Sequence, residues 1–384
     1  MFNIVVLGLT SLLTDISTEM VYPLLPFFLT SALGAGPATV GLVEGVAESL
    51  ASFLKIASGR LSDRFRRRKP LTILGYATSA AGKLVLSLAT GWGTVLGGRV
   101  LDRFGKGIRT APRDALIADG LAVRDRGRAF GLHRAMDTAG AAAGVLLAYG
   151  FLTVARVEIA TIILWSLVPA TLGVLVLLFV REGRPEHRSR AVLPSLSWST
   201  LPRRLRRLLL IVLFFNLGNS SNAFLLLRAQ DVGFSPSSVL LLYLLYNLSF
   251  AALSLPAGKL SDRVGRTTLL GLGYAVYGIA YLGFALLTPR AAPLACWALF
   301  ALYGVYSALT EGVERALVAD LAQPETRATA LGMHAAVIGI GLLPASMLAG
   351  ALWEIAGPPA PFILGAVLSG GAAVAIRDLR KDPH

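Results

Sequence analysis

Asp15 and Glu19 stand four residues apart inside an apolar stretch that runs from Ile4 to Leu33, and Glu44 and Glu48 repeat that spacing in the next apolar stretch. On a helix, an i,i+4 spacing puts both carboxylates of a pair on one face. Further on, Arg99, Asp102, Arg103, Lys106, Arg109, Arg113 and Asp114 fall within an arc of about 140° at 3.6 residues per turn. The result is a charged stripe on an apolar helix. Charge inside a bilayer is costly unless it faces a bundle interior or a wet cavity, so this face is expected to line an internal path. Asp137 follows on the next apolar run, and together with Asp15, Glu19, Glu44 and Glu48 it can neutralise the stripe. The groups read either as ion pairs that open and close with the fold, or as a subset that binds cargo or a proton. A partly desolvated carboxylate can take up and release a proton near physiological pH. Asp15 and Glu19 are the first candidates for that role.

Other polar groups are sparser. His133, Arg134 and Asp137 share a helix face, which admits a metal reading of His133 with Asp137 or a structural hydrogen bond. No further His or Cys cluster completes a metal site. Asn219 and Asn222 cluster beside Gly218, with Tyr243, Tyr246 and Asn247 on the following run. Amides among apolar helices either join helices or contact cargo. Glu311, Glu314 and Arg315 match the lower part of the charged stripe and are expected to serve closure. An enzyme would need a nucleophile with its base or a metal cage, and the chain has neither a Gly-x-Ser-x-Gly turn nor His-Glu-x-x-His. No catalytic group, metal or cofactor is expected.

The elements that carry these residues follow from composition. Of 384 residues, 55% are hydrophobic and 15% charged, and the mean hydropathy is +0.66, far more apolar surface than a water-soluble core requires. At about 20 residues per crossing, the pattern predicts twelve spans: 4–31, 39–58, 71–90, 94–118, 129–151 and 159–180, then 208–230, 236–257, 267–287, 293–319, 328–352 and 359–376. The start of the chain lacks a basic region and reads as a retained first span. The net charge of +14 raises the question of nucleic acid, but the basic residues sit in short tracts between apolar runs. That placement fits the positive-inside rule, because Arg66 to Lys69, Arg124 to Arg128, Lys259 to Arg266 and Arg377 to Lys381 share one side, while Arg156, Arg228 and Arg290 fall on the other. Both termini are therefore expected in the cytoplasm, in the inner or plasma membrane. The lone Cys296 packs in an apolar segment and says nothing about redox.

A repeat organises the spans. Gly59-Arg60-Leu61-Ser62-Asp63-Arg64 recurs as Gly258-Lys259-Leu260-Ser261-Asp262-Arg263, 199 residues later. Ala115-Leu116-Ile117-Ala118-Asp119 recurs as Ala316-Leu317-Val318-Ala319-Asp320, and Gly131-Leu132-His133 as Gly332-Met333-His334, both with an offset of 201. Duplicated halves in parallel orientation are the plan of carriers that rock about a central cavity. The halves are expected at 1–180 and 208–384, joined by a basic cytoplasmic linker, 181–207, whose Arg203 to Arg207 lie at the lipid surface.

The paired hexapeptides resemble the loop signature Gly-x-Leu-(small)-Asp-Arg-x-Gly-Arg of the major facilitator superfamily, between its second and third and its eighth and ninth helices. Arg103-Phe104-Gly105-Lys106-Gly107-Ile108-Arg109 resembles the family's fourth-helix Arg-x-x-Gln-Gly-x-Gly, with Lys106 in place of Gln and Arg109 in place of the second Gly. Asp15 followed by Tyr22-Pro23-Leu24-Leu25-Pro26 resembles the first-helix signature of the proton-coupled drug and organic-compound efflux branch. Against export, the fifth run carries no Gly-Pro pair. The resemblance implies an all-α membrane protein of twelve helices in two pseudo-twofold-related six-helix bundles. It implies a monomeric antiporter that exports a small organic compound by alternating access, driven by protons, in contact with lipid and with no nucleic-acid partner. It implies gating by Gly59, Asp63 and Arg64 and by Gly258, Asp262 and Arg263, the glycines allowing close helix approach. The basic stripe leaves an organic-anion carrier open, in uptake or export, and a non-transporting sensor or scaffold is the reading from another class. Arg66 stands in the first copy where the second keeps Gly265.

Overall fold

The computed structural model describes residues 2–65, 68–118, 123–181, 198, 201–289, 292–323 and 327–381, the side chains of 56, 59–65, 118, 123–128, 292, 328–329 and 380–381 excepted. Among the described residues the regular structure is helical, in twelve rods. The first six are α1 (Phe2–Val21), α2 (Pro37–Phe65), α3 (Arg68–Ser87), α4 (Trp92–Ala118), α5 (Val123–Thr153) and α6 (Ile159–Trp165 continued by Leu167–Leu177). The second six are α7 (Arg203–Asn216, resumed at Ala223–Asp231), α8 (Pro236–Val264), α9 (Arg266–Leu286), α10 (Ala292–Leu321), α11 (Arg327–Ala356) and α12 (Ala360–Lys381). Eight are long and apolar enough to cross a membrane by themselves. The other four are α2, α3, α4 and the interrupted α7, and the buried charges described below lie mostly on the first three. A helix that carries such charge is stabilised by its neighbours rather than by lipid.

Local chemistry sets several boundaries. After α1 the chain tightens to a 3₁₀ turn at Tyr22–Leu24, then loosens to a π turn at Phe28–Ala32, because Pro23 and Pro26 remove two backbone donors. Ser235 caps α8, accepting from the Ser238 N–H, and Gly265 ends it with φ of 94°, a backbone region that disfavours a side chain. Both hexapeptides therefore form the last turns of long helices rather than loops.

The chain divides into two compact units, Met1–Ala35 with Val46–Ala191, and Gly36–Gly45 with Val192–His384. In unit 1 glycines set the closest helix contacts. A Cβ on Gly75 would stand 2.6 Å from the Arg109 Cβ, one on Gly82 2.5 Å from the Asp102 N, and one on Gly105 2.6 Å from the Ser79 N, so α3 and α4 touch backbone to backbone. Across α1 and α5, Gly140 and Gly144 meet the carbonyls of Leu12 and Ile16. An apolar cluster of Ile4, Leu7, Tyr76, Leu116, Ile117 and Leu177 closes one end. In unit 2 the core is aromatic. Phe215 stacks on Tyr274 with centroids 4.2 Å apart, and Tyr277 on Tyr281 at 4.0 Å, with Tyr303 and Tyr306 packed edge-on or tilted beside them.

The helices run longer than the expected spans at several ends. The expected linker 181–207 lies largely outside the described residues, and its Arg203 to Arg207 form the first turns of α7. Arg228, expected in a connection, is buried within α7. It donates to the carbonyls of Phe284, Ala285 and Leu287 and pairs with Asp231.

Candidate functional site

The α3–α4 contact determines what the charged stripe can reach. Arg99, Asp102, Arg103 and Arg109 are all buried, whereas Leu101 and Phe104 on the opposite side of α4 are exposed. Glu48 of α2 serves two guanidinium groups: its Oε1 lies 3.1 Å from Arg103 Nε and 3.7 Å from an Arg99 NH. Asp102 Oδ2 completes the network at 3.4 Å from Arg99 and 3.6 Å from Arg103. Two acids thus hold two arginines across α2 and α4. Arg99 also lies over the Tyr22 ring, 5.5 Å from its centroid.

One turn further on, Arg109 donates to Ser79 Oγ at 2.5 Å and lies 4.2 Å above the Tyr76 ring. Ser79 in turn donates to the Asp102 carbonyl at 2.9 Å. Lys83 of α3 is buried, and its Nζ donates to Thr18 Oγ1 of α1 at 3.1 Å. Arg113 donates to Ser11 of α1 at 3.2 Å and pairs with Asp114 at 2.8 Å. Sequence reasoning missed Tyr76, Ser79 and Lys83. The signal that finds them is the seven-residue glycine spacing, Gly75 with Gly82 on α3 and Gly98 with Gly105 on α4, which marks two helices that must meet along one line.

Lys106 is half-buried within this network, and among the described residues its ammonium makes no hydrogen bond or ion pair. The charges nearest to it in effect are those of Arg103, Glu48, Lys55 and Asp15. Asp15, also half-buried, lies in the field of Asp137, Lys106, Arg109 and Arg113. The structure therefore gathers Asp15, Glu48, Arg99, Asp102, Arg103, Lys106, Arg109 and Asp137 into one polar interior. Glu19 sits where α1 crosses α5, its Cβ facing Gly144, and Glu44 is buried near the start of α2. His133 Nδ1 lies 3.4 Å from Asp137 Oδ2. Among the described residues no cluster of three His, Cys, Asp or Glu side chains is set to hold a metal.

Unit 2 has the same α4 positions, shifted by 201, filled differently: Phe300, Tyr303, Gly304, Ser307 and Thr310 stand where α4 has Arg99, Asp102, Arg103, Lys106 and Arg109. Asn219 donates to the Tyr306 hydroxyl at 3.3 Å, Tyr303 donates to Asn222 Oδ1 at 2.8 Å, and Tyr277 donates to the Gly218 carbonyl at 2.8 Å. The break in α7 is thus satisfied by tyrosines of α9 and α10, as non-helical backbone among apolar helices must be. These bonds give both asparagines a helix-joining role.

Of the first hexapeptide, the surroundings of Gly59 and the side chains of Asp63 and Arg64 lie outside those described. In the second copy, Asp262 accepts from Arg266 at 3.4 Å, while Arg266 reaches Asp320 at 2.6 Å and the Ala316 carbonyl at 2.7 Å. Arg68 makes the equivalent bond in unit 1, to the Ala115 carbonyl at 3.4 Å. Arg263 is exposed, and a Cβ on Gly258 would meet nothing within 4 Å, so that glycine is not a point of close helix approach.

Duplicated helical units with ionic groups buried among apolar helices are the plan of a polytopic membrane transporter. The chain belongs to the Major Facilitator Superfamily, whose family model matches residues 7–226 and 208–384. It is 40% identical over 373 residues, 96% of this chain and 92% of the relative, to a protein of Methanocaldococcus jannaschii named as an uncharacterized MFS-type transporter. It is 24% identical over 335 residues, 84% of this chain and 79% of the relative, to the multidrug resistance protein MdtH of Enterobacter sp.. The crystal structure of the nucleoside transporter NupG superposes with a TM-score of 0.81 at 15% identity, covering 100% of both chains. That likeness shows the fold.

Proposed function

We propose that this transporter exports a small organic compound across the cytoplasmic membrane by alternating access, in exchange for protons. The observation that carries the reading is that Asp15 and Lys106, two half-buried opposite charges of unit 1, lie in each other's field yet outside the arginine–carboxylate network that occupies Glu48 and Asp102. A carboxylate in no direct ion pair with an arginine can change its protonation state during a cycle. Asp15 and Glu19 are the proton carriers, and Arg99, Asp102, Arg103, Lys106, Arg109, Glu44, Glu48 and Asp137 line the cargo face. Within unit 2, Asn219 and Asn222 are the neutral candidates for cargo contact. The two bundles, 1–180 and 208–384, act as one monomer with both termini in the cytoplasm. Asp63 with Arg64 and Asp262 with Arg263 latch one end state, the second copy braced by the Arg266 contact to Asp262. The likeness to a protein named for multidrug resistance supports the direction of transport.

Counterflow in proteoliposomes under an imposed pH gradient tests the reading. Uptake into inside-acid vesicles is expected to rise, and to lose that dependence in Asp15→Asn. Transport indifferent to the gradient would sink proton coupling.

A second reading has its own support: the stripe contributes five cations, Arg99, Arg103, Lys106, Arg109 and Arg113, against two acids, Asp102 and Asp114, on the same helix. That excess suits an organic anion. Competition by anionic, neutral and cationic compounds in the same assay separates the two.

A further inference from the structure

Most described carboxylates with an ion-pair partner are held by arginine: Glu48 and Asp102 by Arg99 and Arg103, Asp114 by Arg113, Asp231 by Arg228, Asp262 and Asp320 by Arg266, and Glu311 by Arg315. An arginine keeps its charge at any physiological pH, so the charge facing those acids is fixed. Two carboxylates are paired instead with a histidine, which can gain or lose its own charge. One is Asp137 with His133 in unit 1. The other is Glu314 with His334 in unit 2.

The second pair is the tighter and the better enclosed. His334 Nε2 and Glu314 Oε1 are 2.5 Å apart, bridging α11 and α10, and Tyr274 of α9 donates its hydroxyl to Glu314 Oε2 at 3.1 Å. All three side chains are buried, at 4%, 7% and 0% exposure respectively. Around them, α10 presents Tyr306 two turns back, α7 presents Phe215, stacked on Tyr274, and α12 presents Ser369, which donates to the Tyr274 carbonyl. Glu311 and Arg315 on α10 are exposed and paired with each other. The groups in direct contact with the Glu314 carboxyl are thus a phenol and an imidazole. Neither carries a fixed charge.

We infer that Glu314, His334 and Tyr274 form a proton-binding site inside unit 2, additional to Asp15 and Glu19. With a neutral imidazole donating from Nε2 to the carboxylate, the pair carries one negative charge. One added proton brings it to zero, as imidazolium with carboxylate or as neutral imidazole with carboxylic acid. The proton comes from and returns to water, and no other bond changes. Tyr274 keeps its own proton and acts as a donor that orients Oε2. His133 and His334 occupy matching positions, but the acids differ: Glu314 stands where unit 1 has Arg113, so the α10–α11 pair belongs to unit 2 alone among the described residues.

The inference rests on proton coupling only for its use in transport; proton binding itself is read without any cargo. Infrared difference spectra of the full chain in lipid nanodiscs, stepped between about pH 8 and about pH 5, report protonated carboxyl and imidazole groups directly. The wild type is expected to show a buried component that disappears in Glu314→Gln and persists in Glu311→Gln. His334→Gln is expected to move the remaining carboxyl signal. Tyr274→Phe, which keeps the ring packing, is expected to shift the carboxyl stretch to higher frequency as its hydrogen bond is lost, and it serves should Glu314→Gln fail to fold. A wild-type spectrum that superimposes on that of folded Glu314→Gln, or a Tyr274→Phe spectrum identical to wild type, would overturn the site. If the signal is present but counterflow ignores a pH gradient, the proton site stands and the coupled-export reading is what fails.

Discussion

Arg103 Nε lies 3.1 Å from Glu48 Oε1, and the same oxygen lies 3.7 Å from Arg99. One carboxylate of α2 therefore ties down two arginines of α4 on successive turns. The two helices cannot separate along this face without exposing charge to an apolar interior.

Glu48→Gln is expected to cost about 3 kcal/mol of stability, because it leaves Asp102 as the one acid holding two buried guanidinium groups. The measurement is thermal unfolding in detergent against wild type. A Glu48→Gln, Arg103→Gln double variant should recover part of the loss, and strict additivity of the two changes would show that the groups are not coupled.

Gly82→Val is expected to disrupt unit 1, since the new Cβ would fall 2.5 Å from the Asp102 N and 2.6 Å from the Gly98 carbonyl, both backbone atoms that cannot rotate away. The penalty is about 3 kcal/mol or more. Gly97→Ala, where nothing lies within 4 Å, should stay within about 0.5 kcal/mol of wild type. Comparable yields and melting curves for the two variants would refute the close α3–α4 approach.

Lys106→Met is expected to leave the fold intact, because Lys106 makes no hydrogen bond or ion pair among the described residues, while lowering the protection that anionic compounds give in thermal shift by about tenfold in apparent affinity. That factor corresponds to about 1.4 kcal/mol. Equal losses for anionic, neutral and cationic compounds would assign Lys106 a purely structural role.

Arg266→Ala removes contacts to Asp262, Asp320 and the Ala316 carbonyl at once. The acids are exposed, so the stability cost is expected to be about 1 kcal/mol or less, but transport should slow several-fold as one end state loses its latch. Initial rates in proteoliposomes decide the matter: a normal rate in both Arg266→Ala and Asp262→Ala would remove gating from this cluster.

Arg228→Leu is expected to destabilise unit 2 by about 3 kcal/mol, because three carbonyls at the end of α9 lose their donor. Arg228→Lys should recover only part of this, since one ammonium cannot span all three acceptors. Full recovery by lysine, read in the same melting assay, would mean that charge and not fork geometry matters there.

Much of this molecule is legible in the order of its residues. Apolar runs interrupted at regular intervals dictate membrane helices, because unpaired backbone is not tolerated in lipid. The recurrence of Asp, Arg and His at offsets of 199 and 201 marks duplication, and the 3.6-residue period places the α4 charges on one buried face. What periodicity cannot supply is the partner. Whether Arg103 meets Glu48 or water, whether Lys83 reaches Thr18, and whether Glu314 closes on His334 depend on how far one helix sits from the next, a distance that between α3 and α4 is decided by glycines on two rods at once. Sequence spacing describes a helix around its own axis, while an ion pair between helices is created only when tertiary packing brings two axes within reach.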